Sequence, residues 1–215
     1  SGTIEVDAAS LADDTDLVVE GSDKVVVTNL QGDIAGSLGS GTLDVTTIGA
    51  ADLDIVTGSA RTLIDGVGGV VRVDATALAA DEVLGAEGAA DFTLSAVSGD
   101  VDVVADGGFS GAESALSGDL TVNLADGASG VEVFTGTGVT VVDTGTDASG
   151  SVSVEADRLG DNVSGDGVDN LTLTGAGSAV VSDVVADTDA GDLDGTLRLT
   201  TADNSGDGDI GVILG

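Results

Sequence analysis

Carboxylates are the one reactive group this chain carries in quantity. Its 215 residues hold 39 Asp and Glu against 5 Lys and Arg and no His, for a formal charge of −34. With neither His nor Cys, triads and dyads built on them are excluded, and so are thiolate metal sites. Adjacent acids such as Asp13/Asp14 and Asp81/Glu82 have the makings of a glycoside-hydrolase pair, but a solvated corner asks for the same residues. A groove for acidic polysaccharide needs bases beside its acids, whereas Lys24, Arg61, Arg72, Arg158 and Arg198 stand one by one. The sequence therefore reads as a protein that is not an enzyme. Such a charge favours divalent cations and hydrated surfaces, and it repels nucleic acid and anionic membranes.

The elements that must position these acids are short strands. Pro, Cys, Met, Trp and Tyr are absent, and Phe92, Phe109 and Phe134 are the only aromatic residues. No aromatic platform for a sugar exists, and the three Phe read as core plugs or caps of a stack. A core must instead be filled by Val, Leu, Ile and Ala, and a hydrophobic content of 41% is too high for disorder. Asp outnumbers Glu 32 to 7, which favours turns over helices. Apolar residues alternate, as in Ile4/Val6, Leu43/Val45, Val131/Val133 and Val152/Val154, so each strand has one buried and one wet face. No run approaches the roughly 20 apolar residues of a membrane helix, so no membrane insertion is expected.

The chain also repeats itself. Ile4-Glu5-Val6-Asp7-Ala8 returns as Val71-Arg72-Val73-Asp74-Ala75 and, more worn, as Val152-Ser153-Val154-Glu155-Ala156, with Leu11, Leu78 and Leu159 following. Val25–Leu30 is matched with Phe92–Val97 and Leu171–Ala176, Leu43–Val45 with Leu120–Val122 and Leu197–Leu199, and Leu53–Gly58 with Val131–Gly136 and Ile210–Gly215. Val6 to Val73 spans 67 residues, Val73 to Val154 81, and Leu43 to Leu120 to Leu197 77 twice. Three repeats follow: 1–70, 71–151 and an incomplete 152–215, in one continuous body with about seven strands per repeat.

Two all-β architectures accept this pattern. The favoured one is a parallel β-solenoid (β-helix) with about three strands per turn, because each rung needs only small inward side chains and a donor N–H that Pro lacks. The alternative is a row of immunoglobulin-like β-sandwich domains, which the missing aromatic core disfavours. Ser10–Asp14 and Ala77–Asp81 could each form one helical turn, capped by Ser10 or Thr76. The chain begins without Met and inside a repeat, and joining Gly215 to Ile4 would omit the strand found at Thr62–Ile64 and Val139–Val142. Ile4 is therefore expected to mark where a preceding repeat was cut or where another subunit docks.

These units, with the links Leu30-Gln31-Gly32-Asp33-Ile34, Val97-Ser98-Gly99-Asp100-Val101 and Leu116-Ser117-Gly118-Asp119-Leu120, resemble the β-strand repeats of large bacterial surface adhesins and RTX-like proteins exported by type I secretion. The resemblance spans the whole chain. It implies an extracellular or cell-surface location and a structural module of a fibre or adhesin stalk, whose partners are copies of itself stacked end to end. A calcium-stabilised surface-layer or biofilm-matrix protein is the alternative.

Within that resemblance lies one cofactor, Ca2+. Ser164-Gly165-Asp166-Gly167-Val168-Asp169-Asn170-Leu171-Thr172 is similar to the RTX calcium nonapeptide, with Ser164 in place of its first Gly. Asp203-Asn204-Ser205-Gly206-Asp207-Gly208-Asp209-Ile210 resembles the start of an EF-hand loop, although Leu214 stands where the bidentate Glu belongs. The metal ligands so implied are Asp166, Asp169, Asp203, Ser205, Asp207 and Asp209. A plain Asx/Gly turn is the competing reading of both stretches. Independently, carboxylates stacked about 4.8 Å apart in a solenoid repel by about 0.9 kcal/mol even at the dielectric of bulk water. Divalent ions or salt are therefore expected to support stability.

Overall fold

A computed structural model describes residues 2–13, 15–35, 39–49, 51–102, 116–157, 159, 171–201 and 212–215. They contain twenty strands and no helix. The first seven are β1 (Thr3–Asp7), β2 (Asp16–Val18), β3 (Lys24–Leu30), β4 (Asp33–Ala35), β5 (Leu43–Thr47), β6 (Leu53–Val56) and β7 (Thr62–Gly66). The next seven are β8 (Val70–Asp74), β9 (Val83–Gly88), β10 (Asp91–Val97), β11 (Asp100–Asp102), β12 (Leu120–Leu124), β13 (Ser129–Phe134) and β14 (Thr140–Asp143). The last six are β15 (Ser151–Glu155), β16 (Leu171–Gly175), β17 (Ser178–Val184), β18 (Thr188–Leu193), β19 (Leu197–Thr201) and β20 (Val212–Leu214).

Odd-numbered strands form one ten-stranded sheet and even-numbered strands another, with parallel pairing throughout. The chain is thus a parallel β-solenoid, and each turn contributes one strand to each sheet. Two strands per turn replace the expected three. The pairing of Leu43 with Thr62 and of Leu53 with Val71 fixes two per turn, and Val, Leu, Ile and Ala fill the roughly 10 Å between the two facing sheets. Ile55, Val73, Leu94, Val122, Val142 and Leu173 stack as one inward ladder, none more than 1% exposed. Each such side chain contributes about 1.5–3 kcal/mol by leaving water.

The long repeat is seven strands, an odd number laid on a coil that adds strands in twos. The opening motif therefore falls on β1, β8 and β15, alternating between the two sheets. Backbone geometry marks the same period. β3, β10 and β17 are each seven residues long, and the sixth residue of each has positive φ: Asn29 at 57°, Ala96 at 57° and Asp183 at 54°. In all three the register with the next strand shifts at that point, the mark of a bulge. The counterpart of β3 and β10 is therefore β17, not Leu171–Ala176, which lies one strand earlier on β16. The link Leu116–Leu120 likewise leads into β12, whereas Gly32 and Gly99 precede β4 and β11. Alternating Leu and Thr resemble one another on any strand, so side-chain pattern alone misaligned these copies.

Among the described residues, no helical turn forms at the corner after the opening motif. Instead, consecutive turns close where the Leu11 N–H donates to the Ala8 carbonyl and the Thr15 N–H to Ala12, and equivalently Leu78 to Ala75 and Glu82 to Ala79. The following coil passes close above. A Cβ on Gly32 would strike the Thr15 and Ala12 carbonyls, and one on Gly99 the Glu82 and Ala79 carbonyls. Two substitutions should thus act in opposite directions. Gly99→Ala should destabilise by about 1–3 kcal/mol through overpacking, while Ala96→Gly should stabilise by up to about 1 kcal/mol by relieving a left-handed alanine. Equilibrium denaturation of both variants checks the pair of signs.

Candidate functional site

At each corner the ladder of backbone pairing ends and leaves N–H groups to be satisfied. Aspartate takes them. The carboxylates of Asp33, Asp52, Asp91, Asp100, Asp119 and Asp126 each accept from a backbone N–H one coil further on, those of Asp54, Val70, Asp119, Glu132, Val139 and Thr146, at 2.8–3.2 Å. Others close local turns: Asp7 accepts from the Ala9 N–H, Asp74 from Thr76, Asp143 from Gly145, Asp147 from Ser149 and Asp189 from Gly191. One methylene places a carboxylate within reach of the next rung without freezing a longer side chain, which accounts for the excess of Asp over Glu.

Among the grooves formed by the described residues, two lie at equivalent places in the seven-strand repeat. Over β6, β8 and β10 a shallow groove of about 440 Å³ is lined by Asp54, Val56, Arg72, Asp74, Ser95 and the strained Ala96, among others. Over β13, β15 and β17 a smaller one of about 80 Å³ is lined by Glu132, Phe134, Ser153, Glu155 and Ser182. Because the repeat advances by an odd number of strands, they lie on different sheets. Phe134 occupies the place of Val56 and sits in the smaller of the two grooves. It lines the groove and also packs, partly buried, against the hydrophobic core, whereas Phe92 is a core plug at 1% exposure. The grooves offer carboxylates and hydroxyls, with no imidazole or thiolate in the chain to activate them.

Cations pair with acids on these faces. The Arg72 guanidinium lies 3.2 Å from Asp52 and 4.0 Å from Asp54, all three well exposed, so these pairs add little stability. Asp44 differs. Its side chain is 7% exposed and is gripped by Lys24 on β3 and by Arg61, just before β7, the latter at 3.6 Å. Arg61 in turn donates its backbone N–H to Glu82.

The six calcium candidates, Asp166, Asp169, Asp203, Ser205, Asp207 and Asp209, lie outside the described residues, as do Asp14 of the first acid pair, Arg158 and Phe109. Among the described residues, no three or more acids gather as a metal-holding group. No protein-family model matches the chain, and neither a curated protein nor a solved structure does. The Asp caps were foreshadowed in the sequence only by the Asp bias, and the grooves by nothing until the strand register was known.

Hydrogen bonds hold four of the capping carboxylates below their ordinary pKa. For Asp7 the cause is chiefly the Asn29 amide and then the Ala9 N–H. For Asp74 it is the Thr76 hydroxyl and then its N–H. For Asp126 it is the backbone and then the hydroxyl of Thr146, and for Asp147 those of Ser149. A depressed folded pKa contributes stability above the unfolded value of about 3.9 and loses it as pH falls through the folded value. Protonating the other acids meanwhile relieves repulsion, so the overall melting curve mixes both effects. The melting-temperature difference between wild type and Asp126→Ala isolates the cap: it should be positive at pH 7 and shrink as pH falls through the depressed folded pKa of Asp126.

Proposed function

We propose that this chain is a rod-forming structural segment of a bacterial extracellular fibre or surface-adhesin stalk, which joins end to end and performs no catalysis. The observation that supports this reading is the parallel stacking of ten strands in each of two sheets, a regular backbone-bonded rod. Its flanks are closed by aspartate caps and carry most of the charge. The extracellular setting rests on the resemblance to adhesin and RTX-type repeats.

Charge decides how ends can meet. Two bodies of −34 repel, but at 0.1 M salt the interaction is screened beyond about 10 Å. Calcium enters the proposal here as an ion that would neutralise stacked carboxylates. Ten strands per sheet give a single rod about 43 Å long at roughly 4.8 Å per step. Electron microscopy of the purified chain should show such rods, with end-to-end multiples appearing as salt or Ca2+ rises. Chelator at low ionic strength should lower the melting temperature. Particles that never lengthen would sink the fibre reading, and side-by-side sheets would favour a surface-layer protein instead.

A further inference from the structure

The first two copies of the repeat have nearly interchangeable cores. β5 lies on β3 with Leu43 facing Val25 and Val45 facing Val27, and β12 lies on β10 with Leu120 facing Phe92 and Val122 facing Leu94, each pair across the same bulge. Stacking β12 on β3 in place of β5 would therefore bury similar side chains in the same register while leaving out seven strands. In a solenoid each turn touches only its neighbours, so no distant contact corrects such an error.

The outward residues differ. Lys24 opens β3, Asp44 is second on β5 and Arg61 stands just before β7, whereas in the next copy those places hold Asp91, Thr121 and Val139. In the third copy the first two places hold Ser178 and Arg198. Among the described residues, only the first copy buries a charge at these places: the Asp44 side chain is 7% exposed between Lys24 and Arg61 at 42% each. The cluster is poorly made for stability, since Asp44 Oδ1 is buried without a hydrogen bond and Arg61 stands 3.6 Å from it. A buried ion pair often gains no more than it loses in hydration, but a buried charge deprived of its partner is strongly unfavourable. Such a cluster discriminates better than it stabilises.

We propose that Lys24, Asp44 and Arg61 form a register lock, which makes the first copy's outward face unlike the others and keeps the chain from skipping a repeat as it coils. With β12 on β3, Lys24 would meet Thr121, and with β14 on β5, Asp44 would meet Val139 in place of Arg61. With β19 on β3, Lys24 would face Arg198. Each wrong stack removes a partner or sets like charges together. Arg61 also ties the lock to the following coil, where its backbone N–H donates to Glu82 at 3.0 Å. The lock fixes the length of the rod whether or not rods join.

The test refolds the full chain from urea by dilution and pulse-labels its backbone amides for mass spectrometry. Wild type should give one protected isotope envelope for peptides spanning β5 to β10. The variant Lys24→Ser, Asp44→Thr, Arg61→Val takes each residue from an equivalent place in another copy. It should add a second, unprotected envelope in at least about a tenth of molecules, those with β4 to β10 looped out, while melting no lower than wild type. Writing the lock into the second copy as well, by Thr121→Asp with Val139→Arg, should add the same envelope although every pair of the first copy is intact. A cluster that merely stabilised would leave that second variant with one envelope. The lock stands only if both variants give two envelopes. A single envelope from either, or a triple variant that melts well below wild type or fails to fold, overturns it.

Discussion

Parallel stacking of one coil directly on the next is the constraint from which the other features follow. Every backbone position has its equivalent about 4.8 Å above it, so whatever a side chain does is repeated in its neighbour's face. Inside, this is favourable: aliphatic residues such as Ile55, Val73 and Leu94 meet like with like and need no jigsaw of large and small shapes. At the corners it is hazardous, because acids would stack on acids. The chain turns part of that hazard into structure by directing carboxylates such as Asp33, Asp91 and Asp119 onto backbone N–H groups of the adjoining coil. A carboxylate spent on an N–H is held off its neighbour and given a partner at once.

A repeat of seven strands on a coil of two per turn means that no face of the solenoid is made of one kind of strand. β8, equivalent to β1, lies on the other sheet, and β15 returns to the first. Any feature tied to a strand type, the bulge at Asn29, Ala96 and Asp183 or the groove beside it, is displayed alternately front and back. Seven strands amount to three and a half turns, so successive repeats are related by a half revolution about the axis. The relation also bears on strain. Asn and Asp tolerate left-handed backbone, and at the middle copy Ala96 has the same φ without such tolerance, held there by the strands on either side.

Much of the fold was legible because stacking writes itself into composition. Alternating apolar residues, the lack of Pro and the small aliphatic alphabet all pointed to a parallel solenoid. The number of strands per turn was not legible, because a spacing of nine or ten residues between strands is the same for two sides or three; only the pairing of Leu43 with Thr62 and of Leu53 with Val71 decides it. Alignment of the copies failed at Leu171–Ala176 for a related reason. Its Leu-Thr alternation fits any strand, whereas β17 is marked by a backbone angle at Asp183 that side-chain pattern does not record. The Asp bias was visible, but it suggested turns and calcium. That its carboxylates join coil to coil depends on contacts 18 to 32 residues apart that no local motif encodes.

The same charge has opposite meanings along and across the coil. On the flanks the sheets face outward with polar residues and uncancelled acids, so side-by-side approach sets like charge against like over the full length. Along the coil the carboxylates are held on backbone N–H groups of the adjoining turn, as those of Asp33, Asp91 and Asp119 are, so there the charge joins what across the coil it keeps apart. Salt weakens the repulsion between flanks, which is screened beyond about 10 Å at 0.1 M, more than it weakens these short charge-assisted bonds.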